Sequence, residues 1–410
     1  MPHSHRLSLW MGRAVALIGI LLVSANLRTA VSSISPIARE IAADVPLDNV
    51  ALGLLGMIPP MAFAVSAIAS ARIARKLGLE LFLVLAIGLM ISGHLMRAAA
   101  TGYVMLLTGS VLTLFGMGVA NVLLPPLVKR YFADRIGLMT ALYATLLSLS
   151  AAVPALVAVP VAQAADWRIS LGMWSVLSVL SVLPWLAIVV RQTRETAAKS
   201  AGWPSASLES FPVVGQPIWR SQVAWALAAV FGMASFNAYG MLAWLPDILA
   251  QTTGTSATQS GALLALYAAM GLPAALFVPI LATRLKNVGP LVQVAVLFFI
   301  VGDLGMLLAP GLAPWLWVVM LGLGPSLFAV CLVLINTRSR TTRGAVALSG
   351  FVQGVGYTIA SLGPLLVGLL RESTGGWLAV FVMLIASAIV ASIGGVLLRR
   401  PAFVEDEIRS

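Results

Sequence analysis

Apolar residues fall along the chain in long unbroken blocks separated by short polar breaks. A helix needs about 20 residues to cross about 30 Å of hydrocarbon. Twelve blocks meet that length: 14–37, 50–71, 80–98, 102–126, 137–160, 169–190, 222–245, 259–282, 289–309, 313–335, 345–370 and 377–398. Most connections are short. The exception is 191–220, a polar stretch holding Gly202, Trp203-Pro204 and Phe211-Pro212 between the sixth and seventh blocks. Such composition reads as a linker. The pattern predicts an all-α, polytopic membrane protein of twelve transmembrane helices. Its parts are a six-helix bundle at 1–190, the linker at 191–220, a second six-helix bundle at 221–400 and a tail at 401–410.

The two bundles read as repeats. Gly116-Met117-Gly118 in span 4 and Gly322-Leu323-Gly324 in span 10 lie 206 apart, and Gly137 and Gly344 lie 207 apart. The basic loops Arg72–Lys76 and Arg284–Lys286, and the pairs Asp166-Trp167 and Gly376-Trp377, fall about 210 apart. Four matches at nearly one offset predict a six-plus-six duplication, and carriers built this way hold substrate near the bilayer midplane between repeats.

Composition agrees: 60% of the 410 residues are hydrophobic and 10% charged, with a mean hydropathy of +1.00. The net charge of +11 is explained by loop topology, so nucleic acid is not an expected partner. With the N-terminus in the cytoplasm, twenty Lys and Arg fall on the cytoplasmic side. Only Arg39, Arg97, Arg168 and Arg371 are assigned to outer loops. That bias places both termini in the cytoplasm. No cleavable signal peptide is evident after Arg13. The single cysteine, Cys331, sits in an apolar run and allows no intramolecular disulfide.

The remaining basic residue, Arg28, sits in Asn26-Leu27-Arg28-Thr29-Ala30, within the first block. A guanidinium keeps its charge, at a cost of about 2.5–3.5 kcal/mol at a span centre. It therefore calls for a partner, and no acid is evident. Either an anionic or strongly polar substrate supplies the contact, or backbone carbonyls and hydroxyls do. Asn26, Ser32, Ser33 and Ser35 flank it in sequence. Asn121 in span 4, two turns before Lys129-Arg130 and ahead of Pro125-Pro126, faces the cavity or bonds between helices. Tyr143, Tyr267 and Tyr357 line a cavity or cap interfaces, and Gln353 is a bare amide among glycines. Span 7 contributes Ser235, Asn237 and Tyr239, with Ser235 at the repeat position of Arg28; Trp244 reads as an interfacial belt residue. Thirteen of the fourteen acids fall in loops or tails, leaving Asp303 in span 9 as a possible proton site, although a third span tends to be peripheral. His94 reads as a satisfied packing residue, and His3 and His5 lie in the tail. No metal-ligand spacing, nucleophile–base set, phosphate loop or dinucleotide fingerprint is present, so neither a cofactor nor an enzymatic activity is expected.

The chain resembles the major facilitator superfamily and, within it, the cyanate permease and 2-nitroimidazole transporter family of bacterial inner-membrane proteins. The resemblance spans nearly the whole chain. It is carried by Asn26–Ala30, Asn121–Arg130, Ala243-Trp244-Leu245-Pro246 and Ser349–Tyr357. It implies two six-span bundles rocking around a site lined by spans 1, 4, 7 and 10, with Arg28, Asn121 and Gln353 on matching positions. The chain departs from the superfamily in the span 2–3 loop, where Arg75 of Arg75-Lys76-Leu77-Gly78-Leu79-Glu80 stands where an Asp is usual. The expected function is secondary transport of a small anion or small polar organic solute, cyanate-like or carboxylate, by a monomer in the bacterial inner membrane. The alternative is a drug or 2-nitroimidazole-type exporter with an apolar pocket, in which Arg28 only organises helices.

Overall fold

The computed structural model describes residues 4–132, 134–198, 218–285, 287–399 and 402–409. Most of the expected linker, with Lys199, Gly202, Trp203-Pro204 and Phe211-Pro212, lies outside the described residues, as do His3, Lys286 and Arg400. All regular secondary structure among the described residues is helical. Twelve segments are long and apolar enough to cross a membrane. They are span 1 (Arg13–Ala42), span 2 (Asn49–Ser70), span 3 (Leu79–Ala98), span 4 (Tyr103–Tyr131), span 5 (Leu142–Ala164), span 6 (Trp167–Arg194), span 7 (Gln222–Thr253), span 8 (Ala257–Ala282), span 9 (Gly289–Leu308), span 10 (Pro314–Thr337), span 11 (Ala347–Thr374) and span 12 (Leu378–Leu397).

Local chemistry sets the ends. Asp48, Ser221 and Thr341 accept a backbone N–H of the first turn of the helices they cap, and Ser256 with Gln259 forms a reciprocal capping box before span 8. Spans 7 and 11 stop at Gly254 and Gly375, both with positive φ (68° and 67°), a conformation that costs glycine nothing. At the far end of span 1, Trp167 Nε1 and Arg168 Nη1 donate to Asp44 at 2.9 and 2.7 Å. These two donors hold the Asp44 carboxyl below the usual carboxylate range.

Four spans are not continuous helices. Span 1 breaks at Leu27-Arg28, span 6 at Met173 and span 8 at Met270, and span 10 passes through a 3-10 turn at Gly324–Ser326. Span 4, by contrast, runs unbroken through Pro125 and Pro126. The repeated glycines serve close packing. A Cβ on Gly116 or Gly324 would press into span 3 or span 9; one on Gly118 or Gly322 would press into span 2 or span 8. Equivalent spans of each bundle are thus engaged.

Two buried apolar cores form, one mostly from spans 1–6 and one mostly from spans 7–12. Isoleucine and leucine side chains such as Ile68, Leu85 and Leu304 stay exposed on the outer surface, facing the hydrocarbon. The bundles meet where span 2 lies along span 11 and span 5 along span 8. At the end away from the termini this seam is tight: a Cβ at Gly53 would sit 2.9 Å from Pro364 O, and one at Gly261 2.9 Å from Ala155 O. Towards the termini it opens, and a Cβ at Gly350 or Gly354 would meet nothing within 4 Å.

Candidate functional site

Span 1 ties the molecule together through the polar residues around its break. Asn26 Nδ2 donates to Ser178 Oγ of span 6 at 2.6 Å. Ser32 Oγ donates to Ala151 O of span 5 at 2.7 Å, and Ser35 Oγ to Leu242 O of span 7 at 2.7 Å. Ser33 Oγ accepts from Arg97 Nη2 of span 3 at 3.2 Å. These side chains hold neighbouring helices and do not gather around Arg28. Thr29 Oγ1 donates to both Asn26 O and Asn26 Oδ1, occupying acceptors at the break.

Arg28 points the other way, to the junction of the bundles. Its Nη1 donates to the Tyr239 hydroxyl of span 7 at 3.1 Å. Its guanidinium lies over the Phe63 ring of span 2, 4.6 Å from the centroid. The Tyr357 hydroxyl of span 11 lies within electrostatic reach of the guanidinium, and the Tyr357 ring packs edge-on against Phe63 (5.9 Å) and Phe231 (5.1 Å). None of the ion pairs among the described residues involves Arg28. The charge is therefore held by one hydroxyl bond and an aromatic face, with a second hydroxyl nearby, contacts worth far less than a desolvated carboxylate. A guanidinium has five N–H donors, so this bond leaves capacity for a planar fork.

The other expected residues divide. Gln353 and Tyr357 lie one turn apart on span 11, and Gln353 Nε2 donates to Ser349 Oγ at 2.7 Å. Asn121 and Tyr143 are half-buried, with no hydrogen bond to another described residue. Ser235 is fully buried and spends its hydroxyl on Phe231 O within its own helix. Tyr239, one turn further on, is the residue that meets Arg28. Asn237 faces away from Arg28, donating to Leu384 O and Ser387 Oγ of span 12. Tyr267 is buried and reaches Ala238 O at 3.4 Å. Asp303 is wholly buried in span 9.

Four readings need correction. Trp244 is not a belt residue: it is 1% exposed, because its Nε1 donates to Pro364 O at 3.0 Å inside the C-terminal bundle. Arg97 is not in a loop but fully buried in the last turn of span 3, where Ser33 draws it inward. His94 is buried beside it, and neither ring nitrogen has a partner, so it is not a satisfied packing residue. Glu80 is also buried, pairing with Arg130 at 3.0 Å and accepting from the Tyr131 hydroxyl at 2.8 Å. Phe63 escaped notice because nothing distinguishes one phenylalanine in an apolar run.

A cleft of about 170 Å³ opens at the far end of the seam, away from Arg28, lined by Arg39, Asp48, Asn49, Trp244, Asp247 and Gln251 among others. Arg39 and Asp247 approach to 3.6 Å across it, and Asn49 Nδ2 donates to Glu372 Oε2 at 2.5 Å. Below this closure Arg28, Tyr239, Tyr357 and Phe63 sit between the bundles, on the side where the seam opens.

Twelve spans in two bundles, with a buried cation at their junction, define a multi-pass membrane carrier of small solutes. The profile described as Major Facilitator Superfamily matches residues 16–361. The chain belongs to the major facilitator superfamily. It is 32% identical to the "Uncharacterized transporter YycB" of Bacillus subtilis (strain 168), over 96% of this chain and 95% of that one. It is 29% identical to the "2-nitroimidazole transporter" of Escherichia coli (strain K12), over 89% and 90% of the two chains. Identity to the "Cyanate transport protein CynX" of the same organism is 27%, over 88% and 91%. These relatives are transporters, and the chain is a transporter, not an enzyme. The fold matches an inward-facing, occupied bacterial homologue of the lysosomal transporter Spinster (TM-score 0.71, 14% identity, 96% of this chain and 98% of that one). It matches a D-xylose–proton symporter equally well (TM-score 0.71, 14% identity, 96% and 98%).

Proposed function

We propose that the chain is a secondary transporter of a small anion, cyanate-like or a small carboxylate, in which Arg28 anchors the substrate and the two bundles rock to give alternating access. The observation that carries this reading is that Arg28, at the bundle junction, is held by Tyr239, Tyr357 and Phe63 with no carboxylate paired to it. A planar anion fits the fork of a guanidinium and neutralises it, so the loaded carrier moves less unpaired charge through hydrocarbon. The relative named as a cyanate transport protein supports the substrate class. We place the protein in the bacterial inner membrane with both termini cytoplasmic, from the bias of Lys and Arg. In that orientation the seam is closed outside and open to the cytoplasm.

A second reading is favoured by the aromatic wall of Phe63, Phe231 and Tyr357 beside Arg28 and by the relative named as a 2-nitroimidazole transporter. There the cargo is a neutral heteroaromatic and Arg28 organises helices. Thermal stability of the purified protein with cyanate, small carboxylates and 2-nitroimidazole, in wild type and Arg28→Ala, separates the two. Ligand at a hundred times its dissociation constant stabilises by about 2.7 kcal/mol. A shift with an anion that vanishes in Arg28→Ala supports the first reading. A shift with 2-nitroimidazole that survives the substitution overturns it.

A further inference from the structure

Span 9 buries a carboxyl group with nothing to satisfy it. Asp303 has no solvent exposure, and neither carboxyl oxygen has a hydrogen-bond donor. The group lies within interaction distance of the Asn237 side-chain amide of span 7. In this conformation the Asn237 N–H is spent elsewhere. Its Nδ2 is committed to Leu384 O at 3.2 Å and Ser387 Oγ at 3.4 Å, and a carbonyl can only accept. Asn237 Oδ1 is therefore the free end, and it too is buried without a donor. Both side chains thus carry buried oxygens without a donor.

The surroundings offer no cation. Spans 10 and 12 pack against span 9. Span 12 carries no titratable residue, span 10 only Cys331, and span 9 only Asp303 itself. Span 7 contributes Tyr239, and Asp247 at its far end; span 8 contributes Tyr267, whose hydroxyl is within electrostatic reach of both Asp303 and Tyr239. Among the described residues no Lys, Arg or His forms an ion pair with Asp303. An unpaired carboxylate is the costliest occupant of such a place, and one proton removes the cost.

We propose that Asp303 is a proton-binding site coupled to the Arg28 site through span 7. One proton taken from solvent converts the carboxylate to the acid, whose O–H donates to Asn237 Oδ1 and satisfies both. Release of that proton restores a carboxylate, which competes with Leu384 O for the Asn237 N–H and turns the amide. Residues 237 and 239 are about 200° apart around a helix. One turn of span 7 therefore presents Asn237 to spans 9 and 12 and Tyr239 to Arg28 in the other bundle. Movement of the amide is transmitted to the hydroxyl that holds Arg28. The proposal rests on the chain being a carrier and is independent of which solute Arg28 meets.

The test needs no substrate. Infrared difference spectra of the purified protein at neutral pH read the carbonyl stretch of a buried carboxylic acid. The band is expected in wild type, lost in Asp303→Asn, restored at a new position in Asp303→Glu, and moved to higher frequency in Asn237→Leu. In parallel, pulsed electron-spin distances between labels on Ala43→Cys and Thr252→Cys, in a Cys331→Ala background, report the far-end closure as pH rises. The distribution is expected to change with pH in wild type. Asp303→Asn should hold the acid-pH distribution throughout. A wild-type spectrum in which Asp303→Asn removes no acid band overturns the site. A band that is lost as expected, with the same pH response in wild type and variant, overturns the coupling.

Discussion

Tyr239→Phe tests how the two bundles are held. The substitution deletes one oxygen and keeps the ring, so the buried packing of span 7 is retained. What is lost is the 3.1 Å bond from Arg28 Nη1, which crosses from the N-terminal to the C-terminal bundle. Hydrogen bonds to charged groups contribute about 1.5–3 kcal/mol. Arg28 is half-buried, so water takes part of the vacated role and the lower end applies. If the bond exists only while the far end is closed, its loss moves the equilibrium towards the opposite conformation by about 1.5 kcal/mol, or roughly tenfold. The Ala43–Thr252 spin-label pair reads this directly, because Ala43 closes span 1 and Thr252 lies near the far end of span 7. Cys331 is the only native cysteine, so its replacement gives a clean background. A longer-distance population rising about tenfold is expected. Arg28→Gln should shift it at least as far, because it also removes the contact with Tyr357, and the double variant should shift it no further than Arg28→Gln alone. Unchanged distances in Tyr239→Phe, or additive shifts in the double variant, would refute the reasoning.

Trp244→Phe leaves Pro364 O without its 3.0 Å donor inside the C-terminal bundle, and should lower stability by about 1–3 kcal/mol, read as a fall in unfolding temperature in detergent. Gly93→Val should prevent assembly of the N-terminal bundle, because even a Cβ there overlaps Thr113 and Gly109 of span 4; a collapse of the monodisperse peak in size-exclusion chromatography checks it. Glu405 accepts from Arg340 N (3.1 and 3.0 Å), Thr341 N (3.1 Å) and Thr341 Oγ1 (3.0 Å), so Glu405→Ala should destabilise the start of span 11 by about 1–2 kcal/mol. Burial pushes the Glu405 carboxyl up, but these donors outweigh it and the net position is below the ordinary value of 4.5. Its stabilisation is therefore complete above that value and lost as pH falls through the depressed one, an acid limb that Glu405→Gln should flatten.

The spans were legible because crossing a bilayer is a matter of apolar length, which sequence states directly. Rotation about each helix was not. Arg97 and Glu80 sit at span ends, where hydropathy assigns them to loops, yet both turn inward to a specific partner, Ser33 and Arg130. The repeat offset selected Ser235 as the residue facing Arg28. The contact falls one turn further, because a serine is too short to cross the junction and Tyr239 carries its hydroxyl on a ring. The break at Leu27-Arg28 has no proline or glycine to announce it. Thr29 and Asn26, which bond to each other across it, are ordinary helix residues by composition. The buried cation itself was legible, since a charge in hydrocarbon demands an explanation whatever its surroundings.

The strength of the contacts across the seam bears on why Arg28 and Asp303 stay apart. Cleaving a buried ion pair costs about 3–5 kcal/mol, since each charge is left uncompensated. A carrier whose bundles were joined by such a pair would have to supply that cost in every cycle. The bonds that do cross the seam are of a weaker kind. Arg39 and Asp247 approach at 3.6 Å, with the Arg39 side chain 69% exposed, a geometry worth about 0–1 kcal/mol. Ser35 to Leu242 O is a single neutral bond, and Arg28 to Tyr239 joins a charge to a hydroxyl. Each can be exchanged for water or for a ligand as the bundles part. The ion pair that engages a buried carboxylate, Arg130 to Glu80 with Glu80 4% exposed, lies within a bundle. In the proposed rocking cycle, this arrangement of polarity leaves the junction between the bundles cheap to open. A cation at that junction is left to the weakest partners, which is the condition under which a passing anion can compete for it.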